Sequence, residues 1–516
     1  MTHTMDCQGR AAGSGGLGQV ALAVALALIA VPAAAKHAER DGIGLLSLDD
    51  IATLGGKLLD TSGKLLGAAA PDASTATSPS AGNSTPSLAG IKLRKPPPVT
   101  IDPRRSLIVT EAAVLSSFPI LDVLNRLAAG SPNSISARQL FDQWMDLQNA
   151  APGIGQGGHC NDELTNGAPT LNGFQFDCPR AEGSLVGANP TDGGPNAFQP
   201  VAVVNRFDLA TDPRKGGTDC GEYRITYAKV SGVTVSTNRM QIIFEGVLPN
   251  PAPNGRDLSG CRPVAQFWAD LSTVSDPAVR ASRLKSFFFT GLPGFQPVVQ
   301  ASHYGFATPN AQGQIRTNLF MQFNWALREY RLGLVNNRLK VLALPNGQSP
   351  AGQLFNETDA HPKGADFRNS FLSVVSSLAV NDINTFNANA LPSRFDAGDG
   401  DQQHATKGNY PAQFTKSPNF SAAIQRQLTL SLSSLTPAQV VERSMAMSCA
   451  GCHQLSNGKS LGGGLVWPAS LQFVHVSEAL RETSPEGLSR FRISPALNDV
   501  FLPRRKAVLE SFLNGR

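Results

Sequence analysis

The chain has 516 residues, enough for a large hydrophobic core and for more than one domain. Charged residues make up 16% of it, below the roughly 25% that is usual for soluble domains, and the net charge is only +5. Lys and Arg are dispersed along the sequence, which argues against a surface that follows a phosphate backbone. We therefore expect no nucleic-acid partner.

Residues 1–35 have the pattern of a secretory signal peptide. Arg10 provides a positive charge, Val20 to Val31 is an unbroken apolar run of 12 residues, and Ala33-Ala34-Ala35 offers a cleavage site of small residues. A membrane-spanning helix needs about 20 apolar residues, so this run is too short to remain as an anchor. We expect a periplasmic or secreted protein that has no transmembrane span once the signal peptide is removed.

Two segments separate the predicted signal peptide from the main body. Residues 36–67 contain Leu and Ile at helical spacing and predict a short amphipathic helix. Residues 68–100 consist largely of Ala, Ser, Thr, Pro and Gly, a composition that buries too little apolar surface to offset the entropy of ordering. We therefore interpret 68–100 as a flexible linker.

The main body is predicted to extend over residues 101–435. Strand and helix patterns occur there without a regular βαβ alternation, which predicts an α+β fold. Asn336-Asn337 lies between two strand patterns and is typical of a tight hairpin turn. Along the whole chain, apolar periodicity predicts helices at 111–129, 136–149, 419–429, 437–452 and 503–513, and strands at 200–207, 223–230, 240–247, 318–334 and 338–344.

Four of the seven cysteines lie in or beside turn-rich and strand regions of this body. In an exported protein Cys160, Cys178, Cys220 and Cys261 predict two disulfides, whereas Cys7 would leave with the signal peptide. Three pairings are possible. We favour Cys160–Cys178 and Cys220–Cys261 because each closes a local loop, so the body is predicted to be stapled by two disulfides.

The other two cysteines belong to the sequence Cys449-Ala450-Gly451-Cys452-His453. The Cys-x-x-Cys-His spacing is the attachment signature of c-type haem. Two thiols add to the two vinyl groups of one haem, and the adjacent imidazole provides the proximal ligand of the iron. Thr436 followed by Pro437 and Gln439 predicts a capped helix start, and a helix continuing through the motif would place both sulfurs on one face.

Residues 449–453 therefore resemble the haem-attachment motif of the c-type cytochrome family. The resemblance is confined to the C-terminal region, 436–516, and implies one covalent haem c on Cys449 and Cys452 with His453 as proximal ligand. It also implies periplasmic maturation and electron transfer or other haem redox chemistry, with a redox protein or a small oxidant as partner. The fold is thus predicted to be an α+β body followed by a helical haem-attachment segment.

The sixth iron ligand departs from the common cytochrome pattern. Small soluble cytochromes often have a Met downstream of the motif, whereas the last methionines here, Met445 and Met447, precede it. Alternation in 471–476 predicts a strand that turns His475 inward, which makes His475 a candidate sixth ligand. The alternatives are a histidine hydrogen-bonded in the core and an open sixth position that reacts with small oxidants.

Cys449 and Cys452 also have interpretations without haem. They would form a disulfide in a secreted binding or structural protein, or a thiol redox pair. Zinc is a poor fit, because it needs four ligands and no second cysteine pair is left for it. The sequence contains no serine nucleophile elbow, phosphate-binding loop or HExxH motif. The residues do not decide between simple electron transfer and enzymatic haem chemistry.

Overall fold

The computed structural model describes residues 97–305, 312–322, 324–401 and 407–515. The predicted signal peptide, the predicted helix in 36–67 and most of the predicted linker lie outside these ranges. Residues 98–515 belong to one compact unit, so the predicted body and the motif-bearing region pack together. No helix in the described ranges is long and apolar enough to cross a membrane.

Several helices begin at a capping side chain or at a proline. A single helix predicted at 111–129 is divided in two, because Pro119 disfavours helical backbone in the residue before it. The helices are α1 (Pro103–Ser106), α2 (Ala112–Leu115), α3 (Ile120–Ala128), α4 (Ala137–Asp146), α5 (Arg262–Asp270), α6 (Pro277–Phe289), α7 (Gly364–Phe371), α8 (Val375–Leu378), α9 (Tyr410–Phe414), α10 (Pro418–Leu430), α11 (Pro437–Met447) and α12 (Leu502–Leu513).

One antiparallel sheet of eight strands, in the order β1-β5-β6-β7-β8-β9-β10 with β11 paired to β9, organises the described residues. Asn336 and Asn337 have φ of 52° and 57°, which confirms the predicted hairpin turn between β9 and β10. The strands are β1 (Ile108–Val109), β2 (Leu164–Thr165), β3 (Ala168–Leu171), β4 (Phe174–Gln175), β5 (Phe198–Arg206), β6 (Asp219–Lys229), β7 (Met240–Pro249), β8 (Gln314–Leu319), β9 (Ala326–Val335), β10 (Arg338–Leu344), β11 (Gly400–Asp401), β12 (Ser460–Gly462), β13 (Leu465–Val466), β14 (Val476–Thr483) and β15 (Ser489–Ile493).

One side of this sheet, the apolar face, packs against helices α4, α5 and α6. Tyr223 of β6 stacks on Trp268 of α5 with ring centroids 5.8 Å apart. Phe244 of β7 meets Trp144 of α4 edge to face at 5.6 Å. Because side chains alternate along a strand, every second residue of β6 and β7 joins this core.

The other side, the charged face, carries buried ionic side chains of four adjacent strands. Arg316 of β8 donates to Glu245 of β7 at 2.7 Å and to Glu329 of β9 at 3.0 Å. Arg224 of β6 forms an ion pair with Glu245 at 3.3 Å and a shorter one with Glu222. All five side chains are buried. The register of the sheet brings them side by side, since directly paired residues share a face.

The C-terminal region covers part of the charged face. Gln241 of β7 donates a hydrogen bond to the Val476 carbonyl of β14 at 3.0 Å. Arg239 forms an ion pair with Glu478, which also belongs to β14. Val476 and Glu478 are buried in this contact. The segment that follows the Cys-x-x-Cys-His motif is therefore attached directly to the sheet.

Two disulfides staple the body. Cys160 is joined to Cys178 and Cys220 to Cys261, with Cα atoms 5.4 and 5.2 Å apart. The predicted pairing is confirmed, and the second bridge ties β6 to the start of α5. Together with the mixed arrangement of sheet and helices, this is the predicted α+β fold.

The helix that leads into the motif starts as predicted and ends earlier than predicted. Thr436 and Gln439 form the predicted capping box of α11. The prediction of one helix through the motif is wrong, because α11 ends at Met447 and Ser448 is extended at ψ 160°. The Ser448 hydroxyl then accepts a hydrogen bond from the Gly451 backbone at 3.1 Å. Cys449 and Cys452 therefore lie in a separate helical turn, beyond the end of α11.

Candidate functional site

The first half of the Cys-x-x-Cys-His motif lies in a small apolar cluster to which the body contributes, whereas Cys452 belongs to the main core. This motif cluster consists of Trp325, Leu327, Cys449 and Ala450, with Phe320, Leu455 and Phe473 packed around it. Trp325 immediately precedes β9 and Leu327 lies within it. A site at this motif is therefore built jointly by the sheet and the C-terminal region.

Glycines allow the backbone to approach the motif closely at two places. A Cβ atom on Gly451 would lie 1.7 Å from the Met445 carbonyl oxygen, so no larger residue fits this spacer position. A Cβ atom on Gly400 of β11 would lie 2.9 Å from the Cys449 Cβ. The motif turn is thus pressed against both α11 and the sheet.

Cys449 is a buried free thiol, so the alternative Cys449–Cys452 disulfide is not formed in the structure. Its sulfur accepts a hydrogen bond from the Ser349 hydroxyl at 3.4 Å, and its backbone N–H donates to the same oxygen at 3.1 Å. Burial raises the pKa of Cys449 to about 11, although the nearby Arg316 lowers it. A thiol that stays protonated at neutral pH is a weak nucleophile, which argues against a thiol redox pair.

His453 is held as a neutral imidazole of defined tautomer. Its Nδ1–H donates to the Phe473 carbonyl oxygen at 2.6 Å, and only 2% of the residue is exposed. Burial lowers the pKa of His453 to about 4. The ring stacks on Trp325 with centroids 5.6 Å apart. A neutral ring whose Nδ1 carries the proton has Nε2 as its lone-pair nitrogen, which is the form that ligates a metal.

His475 lies beside His453, although its backbone differs from the predicted strand. The predicted strand over 471–476 is wrong, because residues 471–475 lie outside any strand and β14 begins only at Val476. The two imidazole rings meet edge to face with centroids 4.9 Å apart. His475 Nδ1 is 2.8 Å from the Ser494 hydroxyl, and its Nε2 is 3.3 Å from the Cys452 sulfur. Burial, together with the neighbouring His453, lowers the pKa of His475.

Trp325 and Phe473 belong to the site, and sequence reasoning missed both. Trp325 lies far from the motif in sequence, and no spacing rule connects the two. Phe473 lies within the segment predicted as a strand. In the structure its carbonyl accepts a hydrogen bond from His453, and its ring packs on that of Trp325 with centroids 5.2 Å apart. A lone Trp before a strand carries no signal for such a role, because any core accepts it.

The residues around the motif fit a haem group. They offer two buried cysteines, of which Cys449 is a free thiol and Cys452 is disulfide-bonded, together with a neutral imidazole and a lining of aromatic rings. The indole Nε1–H of Trp325 is buried without an acceptor among the described residues. A buried unpaired donor beside apolar walls suits a ligand that has a flat apolar body and carboxylates, as haem does.

Other metal chemistry has less support. Within the ranges that the structure describes, no group of three or more His, Cys, Asp or Glu side chains could hold a metal ion. A haem differs from such a site because its porphyrin provides four of the iron ligands, so one or two imidazoles suffice. Comparisons of the chain with models of protein families, with curated proteins and with solved structures found no match.

Proposed function

We propose that this chain is an exported monohaem c-type protein. Cys449 and Cys452 would hold one haem covalently, and His453 would be the proximal ligand of its iron. The observation that carries the proposal is the hydrogen bond of 2.6 Å from His453 Nδ1 to the Phe473 carbonyl, within a Cys-x-x-Cys-His motif. Such a bond to the second ring nitrogen orients a metal-bound imidazole and fixes its tautomer.

A bound haem would supply one-electron redox chemistry at its iron. The residues of this chain would perform the remaining tasks. Cys449 and Cys452 would anchor the group through their thiols, which for Cys452 requires prior reduction of its disulfide. His453 would present Nε2 to it, and Trp325 with Leu327 would exclude water from its surroundings. Exclusion of water lowers the local dielectric constant, so the buried charges of Arg224 and Arg316 would influence the redox potential.

His475 is our candidate for the sixth ligand. Its ring is close to that of His453, with centroids 4.9 Å apart, and the two rings would have to separate to ligate one iron; the Ser494 hydroxyl lies 2.8 Å from its Nδ1. With Nδ1 so engaged, Nε2 is the nitrogen that would ligate an iron, and it would have to leave its present contact of 3.3 Å with the Cys452 sulfur. The same contacts would also suit a histidine that only fills the core, so replacement of His475 distinguishes these roles.

Export agrees with the cysteine pattern of the body. Two disulfides occur in the described residues, and disulfides persist in oxidising compartments. A periplasmic or secreted location is also where the predicted signal peptide would deliver the chain. The partner would then be a redox protein or a small oxidant in that compartment.

A second candidate function, ligand binding by the body, is favoured by a cavity whose lining includes no residue of the motif cluster. The cavity has a volume of about 630 Å³ and is lined by apolar side chains that include Phe207, Leu258 and Val508, together with Asp208 and Glu510. This volume lies in the range of small-molecule sites. A small molecule retained by the native protein and released on denaturation would support it.

The test is the intact mass of denatured mature protein from cells that attach haem to a co-expressed c-type cytochrome. The proposal expects an additional mass of one haem, together with porphyrin absorption that remains with the denatured polypeptide. The matched control is the double variant C449S/C452S, which should lack both signals. Wild-type protein without this mass, from cells in which the reference cytochrome matures normally, would refute the proposal.

A further inference from the structure

Two consecutive non-glycine residues adopt left-handed backbone between the motif and β14. Gln472 has φ of 52° and Phe473 has φ of 73°. The Leu471 N–H donates to the Val474 carbonyl at 2.7 Å and closes this segment, which we call the left-handed turn (residues 471–474). Left-handed backbone costs an L-residue about 1–2 kcal/mol, and a bulky aromatic side chain rarely adopts it.

Glycine would form such a turn without this cost, and the chain uses it nearby. Gly462, Gly463 and Gly464 have φ of 72°, 62° and 79° in the turn between β12 and β13. The chain has glycine in this turn and Asn336-Asn337 in the hairpin turn, and both residue types tolerate left-handed backbone, whereas position 473 has a bulky Phe. Strained backbone that surrounding contacts maintain often marks a functional constraint.

The contacts of Phe473 explain the constraint. Its carbonyl accepts the hydrogen bond of His453 Nδ1 at 2.6 Å, and its ring packs on Trp325, which stacks on the His453 ring. Arg239 Nη1 donates to the Gln472 carbonyl at 3.2 Å and the same guanidinium pairs with Glu478. The turn is therefore tied to β14 on one side and to the motif on the other.

We propose that Phe473 is a positioning residue, and that its left-handed backbone directs the carbonyl that orients and polarises His453. The inference rests on the proposed haem function and adds that the peptide geometry at 473 sets the strength of the iron–imidazole bond. A hydrogen bond from Nδ1 to a carbonyl increases the basicity of Nε2. A more basic ligand favours the oxidised iron, so a weaker hydrogen bond should raise the midpoint potential.

The test is a series of variants that all lack the aromatic ring and differ in their tolerance of positive φ. F473G and F473N accept left-handed backbone, F473A accepts it at a cost, and F473V strongly disfavours it. We expect F473G and F473N to share one midpoint potential. F473A should be shifted to a more positive value and F473V should be shifted further, because the carbonyl turns away from His453.

Q472G is the matched control, since it relaxes the neighbouring residue and leaves the carbonyl of residue 473 in place. It should keep the wild-type potential and raise the melting temperature. If Phe473 only filled space, the four variants at 473 would share one potential, and that result would overturn the inference. If F473V does not fold, F473G against F473A decides the question in the same way. Absence of haem from the wild-type protein, seen by mass, would instead refute the proposed function.

Discussion

The apolar face and the charged face of the large sheet are equally buried and are built from opposite chemistry. Tyr223 and Phe244 fill one side beneath α4, α5 and α6, whereas Glu245 and Arg316 lie on the other. Hydrophobic burial is non-directional, so the apolar face needs only shape. A buried ion network needs a partner for every charge, because each unpaired member costs several kcal/mol.

This difference bears on the position of the motif. The charged face has no advantage over apolar packing in stability alone, since buried ion pairs often contribute little net free energy. Its charges instead change the pKa values of side chains beside the motif. Arg316 lowers the pKa of the Cys449 thiol against the larger effect of burial, and Arg224 lowers the pKa of His475 together with burial and His453. We infer that the apolar face stabilises the fold and that the charged face sets the electrostatics beside the motif.

The largest effect is expected from removal of one cation of the charged face. Arg316→Met leaves Glu245 and Glu329 buried without their shared partner and should lower the free energy of unfolding by about 3–5 kcal/mol. Urea denaturation measures this loss. The control is Arg394→Met, which breaks an exposed pair with Asp366 and should cost about 1 kcal/mol or less. Equal losses in the two variants would contradict the claim that a buried charge of the charged face depends more on its partner than an exposed charge does.

The charged face should also give stability a characteristic dependence on pH. Burial raises the pKa of Glu245 from 4.5 to about 7, with Glu222 and Glu329 acting in the same direction and Arg224 and Arg316 against it. The folded protein then keeps a proton that the unfolded chain releases, so stability falls as pH rises from 4.5 to about 7. The slope for one proton is at most about 1.4 kcal/mol per pH unit.

The variant Glu245→Gln isolates this contribution, because the amide cannot titrate. Urea denaturation of both proteins at several pH values in that window should show the fall in wild type and a flatter profile in the variant. Parallel profiles would show that Glu245 is ionised throughout.

The apolar face should tolerate a conservative change. Ile242 of β7 is fully buried, and Ile242→Val removes one methyl group, which should cost about 0.5–1.5 kcal/mol. Thermal denaturation gives the loss, and if haem is attached as proposed, its quantity per folded molecule should not change. A variant that folds but loses haem would place part of the site on the apolar side.

A change in stability similar to that of Ile242→Val, with a distinct spectral effect, is expected for His475. His475→Gln retains a hydrogen-bonding side chain near Ser494 and removes the imidazole, so we expect a change of roughly 1 kcal/mol in stability. If haem is attached as proposed and His475 is the sixth ligand, the optical spectrum should change because one nitrogen ligand is lost. An unchanged spectrum would leave His475 a core residue.

Predictions from local sequence succeeded where neighbouring residues determine the structure. The capping box of α11 depends on Thr436 and Gln439 alone, and the hairpin turn depends on Asn336 and Asn337. The helix end was missed because Ser448 caps a new turn with its hydroxyl, and a serine in a helical pattern carries no unique signal for this.

The sequence by itself determined that the chain carries a Cys-x-x-Cys-His motif, an α+β pattern and cysteines spaced for two local disulfides. Only the tertiary structure decided what surrounds the motif. The pairing of β8 with β9 brings Trp325 onto the ring of His453. The Phe473 carbonyl contacts His453 through a left-handed turn, in a segment whose alternation predicts a strand. Such contacts join residues distant in sequence, and they depend on how sheets and turns pack rather than on any local preference.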